Sequence, residues 1–231
     1  MAMNISMLVW QDIVAPVMLS LKTAAITLPL HLATGVLSGY LLTGKRSFFG
    51  SFADVIITLP LVFLPLVFPP IATGFLLLIL LGRNGWIGAP LQALGTEIIF
   101  SRNGVFIASF IAGLPLVVKS VQAAIAEMSP SLPEAAWTLG KSKFETYLFV
   151  VLPAIRHSMF TGLILSLGRS FGEVGITLML GGNIVGKTET VSLAIYNAVF
   201  EGNFEKAAVF SILLGILSFA MFYGLKKISK T

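Results

Sequence analysis

Long apolar runs separated by short polar turns set the pattern of this chain. Five of them reach bilayer length, near residues 14–42, 59–82, 104–125, 158–180 and 206–225. A helix needs about 20 residues to cross about 30 Å of hydrocarbon. Backbone groups cannot stay unpaired in lipid, so these runs predict helices rather than open strands. One segment departs from the pattern. EAAWTLGKSKFETYLFVVLP, residues 134–153, mixes polar and apolar positions and is the one long amphiphilic stretch.

Proline and glycine punctuate the runs. The second contains Pro60, Pro65, Pro69 and Pro70. A tandem PP ahead of IATGFLLLILL suits a helix that starts there, because proline fits a first helical turn. Residues 51–64 read either as a short separate helix or as the entry of one long bent helix. Asn84-Gly85 and Asn103-Gly104 are turn signals. They predict a connection over 83–103 with room for one short helix or a re-entrant turn. Further on, Ser129, Pro130 and Pro133 stop any continuation of the third run. Glu134 then falls in the first turn of a new short helix, where a carboxylate suits the positive end of the dipole. Gly140 lets the chain turn. Residues 143–152 form a second helix, and Pro153 ends or bends it. No internal repeat or low-complexity linker interrupts residues 1–231. The expectation is one all-α membrane domain, a polytopic bundle of five spans with a loop at about 126–157.

Composition sharpens this. The chain is 56% hydrophobic and 11% charged, whereas soluble domains carry about 25% charged residues. Cysteine is absent, and the two histidines, His31 and His157, are far apart. Disulfides and thiolate metal sites are thereby excluded, and no metal is expected. The N-terminal stretch lacks the positive n-region of a signal peptide, since its first basic residue is Lys22. The net charge of +5 points to topology rather than nucleic acid, because the basic residues sit between apolar runs. With the N-terminus outside, Lys45, Arg46, Lys119, Lys141, Lys143, Arg156, Lys226, Lys227 and Lys230 fall at the cytoplasmic face. Arg83, Arg102, Lys187 and Lys206 fall outside, while Lys22 and Arg169 lie within spans. Nine against four favours N-out and C-in.

Candidate chemistry is sparse. Arg169 and Glu173 lie i, i+4 in the fourth run and can pair on one helix face. Each, isolated, costs about 3 kcal/mol at the centre of a membrane helix. The pair reads either as a structural tie between helices or as part of a translocation pathway. Gly168, Gly172 and Gly175 make a small-residue stripe beside it, which predicts close helix approach. GGNIVGKT, residues 181–188, fits the phosphate-loop pattern. That pattern carries meaning only between a strand and a helix, and the only aspartates, Asp12 and Asp54, lie upstream. It reads as an external glycine-rich loop. Lys22 reads as a snorkelling residue and His157 as an interfacial one, with attraction of an anion the other reading for Lys22. His31 reads as a helix-packing hydrogen-bond former. No hydrolase triad, paired-carboxylate site or dinucleotide fold is present in the pattern.

Glu134-Ala135-Ala136, followed after the three residues Trp137, Thr138 and Leu139 by Gly140, resembles the EAA loop of ABC-importer permeases. LPLVFPPIATGFLLLILLGRNGWIG and LSLGRSFGEVGITLMLGGNIVGKTETVSLAIY extend the similarity over about residues 15–225. They are similar to the molybdate, tungstate and sulfate branch, and the short length and five spans favour molybdate. The resemblance implies a type I ABC-importer permease fold in a prokaryotic cell membrane. It implies a homodimer, two copies of a cytoplasmic ATPase docked on residues 134–140, and an external solute-binding protein delivering the oxyanion. No cofactor and no catalysis are implied for this chain. A stand-alone ion-coupled carrier and a membrane scaffold are the readings from other classes. The carrier leaves the EAA-like loop unexplained, and the Arg169–Glu173 pair within a span weighs against the scaffold.

Overall fold

The computed structural model describes residues 13–43 and 68–230. Among them all regular structure is helical. The helices are α1 (Ala15–Leu42), α2 (Pro70–Leu81), α3 (Gly88–Ala93), α4 (Arg102–Glu127), α5 (Ser131–Thr138), α6 (Lys143–Thr146), α7 (Leu152–Phe171), α8 (Gly175–Gly181), α9 (Val191–Phe200) and α10 (Phe204–Lys230). A π-helical turn, Tyr147–Val151, joins α6 to α7.

Among the described residues four helices are long and apolar enough to cross a membrane: Ala15–Leu42, Arg102–Glu127, Lys143–Phe171 and Phe204–Leu225. α4 is the central one. Its Val105, Val117 and Val121 have no exposed surface, and Ala108, Ala112 and Gly113 keep its flank thin. α1 and α7 pack along it. Lipid tails are as apolar as these side chains, so packing and interhelical hydrogen bonds hold such a bundle rather than exclusion of water.

Pro115 lies inside α4, where it removes one helical N–H. In the turn before it, two carbonyls receive side chains from the neighbours. His31 Nε2 of α1 donates to Phe110 O at 2.9 Å, and Ser170 Oγ of α7 donates to Ser109 O at 2.7 Å. The His31 ring also stacks on Phe110 and lies 3.3 Å from Ser166 Oγ. Each interhelical bond of this kind contributes about 0.6 kcal/mol on average. The packing role expected of His31 is the one observed.

Several expected boundaries differ. The run at 158–180 is not one helix: it stops at Phe171 and restarts at Gly175. Hydrophobicity continues through the break, but Glu173 satisfies a backbone N–H on the far side of it, as described below. The long helix instead begins earlier, at Lys143, because Pro153 does not end it. The wide π turn immediately ahead of Pro153 replaces the tighter turn with which a proline ring collides. Of the run at 59–82, residues 59–67 lie outside the described residues, as do the 51–64 segment, Lys45 and Arg46. The remainder is α2, half a span long, with Pro69 at the N-cap and Pro70 in the first turn. α2 lies against α8, and Gly175 fits against Pro70 and Ile71. The 83–103 connection contains the short helix α3.

The glycine stripe needs correction. The helix ends before Gly172, so the three glycines do not share one helical face. Among the described residues, a Cβ at Gly168 meets nothing within 4 Å, and one at Gly172 meets only a backbone oxygen at 3.7 Å. Of the three only Gly175 makes a close approach, a Cβ there standing 2.9 Å from Ile71 N and from Pro70 Cβ, and a tighter one occurs at Gly113. There a Cβ would stand 2.6 Å from each of His31 Cε1, Ser166 O and Ser170 Oγ.

Candidate functional site

Residues 129–152 form a hairpin at the end of the bundle where α4 finishes. Pro130 caps α5, and Glu134 occupies its first turn. Ala136 is buried and Ala135 is exposed. After Thr138 the helix closes with two reversed bonds. Gly140 N–H donates to Trp137 O at 2.9 Å, and Lys141 N–H donates to Ala136 O at 3.0 Å. This is the Schellman arrangement, and it requires the left-handed φ of +78° observed at Gly140. The turn expected there is the turn found.

Ser142 then starts α6 with a capping box. Its Oγ accepts from Glu145 N–H at 3.2 Å, while Glu145 Oε2 accepts from Ser142 N–H at 2.9 Å. The S-x-x-E pattern was readable in the sequence and marks this helix start. Lys141 Nζ lies 3.5 Å from Glu145 Oε1. The hairpin presents apolar side chains outward: Leu139 is 81% exposed, and Phe144, Leu132 and Trp137 are exposed as well. Ala136 and Pro133 face inward, and α5 rests on α6 and the π turn. The seven residues 134–140 are therefore one capped unit with an exposed apolar tip.

The second candidate, Arg169–Glu173, lies at the break between α7 and α8. Arg169 donates from its guanidinium to Glu173 Oε2 at 2.5 Å. Glu173 Oε1 accepts from Ile176 N–H at 2.7 Å. That N–H belongs to the first turn of α8, which has no helical partner for it. The carboxylate is thus engaged on both oxygens, with its side chain 1% exposed against 34% for Arg169. On the other side of the break, Phe171 O accepts from Ser192 Oγ at 2.5 Å. Arg169 borders a groove of about 590 Å³ between α7 and α10, lined also by Leu165, Gly168, Phe219 and Phe222.

The phosphate-loop pattern at 181–188 has no strand before it; it follows α8. Gly182, Asn183 and Gly186 take positive φ, and the loop folds on itself. The N–H groups of Lys187, Thr188 and Glu189 converge on Ile184 O at 3.0, 2.9 and 3.2 Å. They are spent on a carbonyl instead of forming an anion cradle. Asn197 ties the loop down through Asn183 and Glu189. Lys187, Lys22 and His157 are exposed.

Sequence reasoning did not single out Tyr40 and Tyr147. Tyr147 is buried and its hydroxyl donates to Val36 O at 2.6 Å. Only the tertiary fold brings these two positions together.

Residues 32–229 match the family described as the inner membrane component of binding-protein-dependent transport systems. The molybdenum transport system permease protein ModB of Haemophilus influenzae is 32% identical over 219 residues, 93% of either chain. ModB of Escherichia coli K12 is 31% identical over 220 residues, again 93% of either chain. The sulfate transport system permease protein CysW of Synechococcus elongatus is 30% identical over 200 residues, 87% of this chain and 68% of that one. Among solved structures, a bacterial alginate ABC transporter in complex with an alginate-bound periplasmic protein has a chain of the same fold. Its TM-score is 0.74 at 17% identity, covering 95% of this chain and 80% of that one. These relatives are permease subunits, not enzymes. With the helices of membrane length and the match over most of its residues, this chain belongs to the inner-membrane permease family of binding-protein-dependent ABC importers.

Proposed function

We propose that this chain is the permease subunit of an ATP-driven molybdate importer. It forms one membrane domain and works as a homodimer in the lipid bilayer of a prokaryotic cell. Two copies of a cytoplasmic ATPase chain bind beneath it, and an external solute-binding protein delivers the oxyanion. The N-terminus is outside and the C-terminus inside, as the nine-to-four charge asymmetry favours. A reporter fused after Thr231 is active only in the cytoplasm under this orientation.

The hairpin carries the coupling part of this reading. Residues Glu134 to Gly140 offer an exposed apolar tip on a capped frame, at the bundle end that the charge asymmetry assigns to the cytoplasm. Closure of an ATPase dimer must bias a membrane element between two states, and this unit is the lever. Support for the oxyanion is the similarity to molybdenum permeases over 93% of both chains. Arg169 belongs to the pathway side. Charged side chains within membrane spans face protein or a watery path rather than lipid, so the exposed side of its guanidinium faces water or the second copy. Glu173 behind it is the structural partner.

The test is uptake of labelled molybdate into vesicles holding permease, ATPase and binding protein, with ATP inside. Uptake that requires all three chains is expected. Stronger competition by tungstate or sulfate than by molybdate would assign the other oxyanion. Uptake without any ATPase would overturn the reading.

A further inference from the structure

Tyr147 stands where the hairpin, α1 and α4 meet. It is the first residue of the π turn and is 2% exposed. Its hydroxyl reaches across to Val36 O of α1. Gly39, on the same face of α1, makes room for it: a Cβ there would stand 2.8 Å from the Tyr147 hydroxyl oxygen. Tyr40 of α1 meets the edge of Tyr147 at 5.6 Å between ring centroids and that of Phe144 at 6.1 Å. Lys143 Nζ sits over the Tyr40 ring, 5.0 Å from its centroid. Val121 of α4, Val151 of the π turn and Ile155 of α7 close the cluster.

These contacts remove a freedom the backbone would otherwise have. The hairpin is joined covalently to the bundle by the end of α4 and by the π turn. A π turn is a local widening of the helix and recurs at functional positions. A hairpin attached only through such a turn could swing without moving the spans. We infer that Tyr147 is a positioning residue that ties the hairpin to α1 through Val36 and Tyr40, so that the two move as one body. Displacement of residues 134–140 is then passed directly into the first span, as well as along α7. This rests on the reading of the hairpin as the ATPase-docking element.

The test uses the complete complex in vesicles and reads oxyanion moved per ATP hydrolysed. A folding defect lowers assembly, hydrolysis and uptake together, whereas a slack hairpin lowers the ratio. Tyr147→Phe removes the hydroxyl and keeps the ring. ATPase association and hydrolysis should stay near wild type while the ratio falls about five-fold, the change one neutral hydrogen bond carries. Tyr40→Leu leaves that bond and removes both ring contacts and the Lys143 contact. It should shift the ratio in the same direction, and it answers the question if Tyr147→Phe does not insert. An unchanged ratio in the variants that insert overturns the inference. If the wild-type chain does not associate with the ATPase, the docking reading itself falls, and that is seen before any variant is made.

Discussion

Glu173 holds the Arg169 guanidinium with one carboxylate oxygen and the Ile176 backbone N–H with the other. One buried side chain therefore neutralises a membrane cation and starts the next helix. Removing it strands both partners. Glu173→Ala should destabilise the protein by about 3 kcal/mol, the cost typical of breaking a buried pair from one side. Glu173→Gln keeps an acceptor for Ile176 and should cost less. Thermal unfolding in detergent measures both; an Ala variant as stable as wild type would show that the carboxylate does not hold the break.

Gly140 has open space around the position of a Cβ, so only its backbone conformation is at stake. Valine in the left-handed region costs roughly 1–2 kcal/mol, enough to unmake the turn and too little to unfold the bundle. Gly140→Val should insert normally and lose ATPase association or coupling. Glu134→Lys puts the wrong charge in the first turn of α5, worth about 0.3–1 kcal/mol, and should act in the same direction. Both are read by co-purification and uptake from one membrane preparation. Full association and uptake in the two together would remove the hairpin as coupling element.

Lys187 extends from a loop whose amides already point at Ile184 O. Lys187→Ala should leave nucleotide binding by the assembled complex unchanged in an equilibrium titration. Loss of ATP binding with assembly intact would restore the phosphate-loop reading.

Gly113 and Gly168 make a controlled pair. A methyl group at Gly113 would press on His31, Ser166 and Ser170 at 2.6 Å, two of the three nearest atoms being a backbone oxygen and a ring carbon. Overpacking of this kind costs about 1–3 kcal/mol. Gly113→Ala should lower the melting temperature of the detergent-solubilised protein, while Gly168→Ala, into open space, should not on packing grounds in the single chain. Equal effects of the two would contradict the packing described.

The parts legible in the sequence were those set locally. Apolar runs located the long helices, tandem proline marked the start of α2, and Glu134 and Gly140 framed α5. The parts that were not legible depend on distant partners. GEVGITLML reads as continuing helix, because the break at 172–174 exists only once Glu173 has found Ile176 and Arg169. Gly113 and Gly168 are indistinguishable as letters, and packing alone separates them. Tyr147 looks like one more aromatic in an oily stretch until the fold carries Val36, 111 residues away, beneath its hydroxyl.

α10 differs from α4 in a way that governs how freely each can vary. Only 6% of its most apolar window is buried inside the chain, against 56% for α4. Outward positions such as Ile212 and Ile216 answer to oiliness rather than shape, so exchange among leucine, isoleucine, phenylalanine and methionine disturbs little within the chain. Val105, Val117 and Val121 answer to volume, where one methylene more or less is felt. Sequence drift can therefore accumulate along α10 while α4 stays nearly fixed, and two such chains can diverge widely in letters without diverging in form.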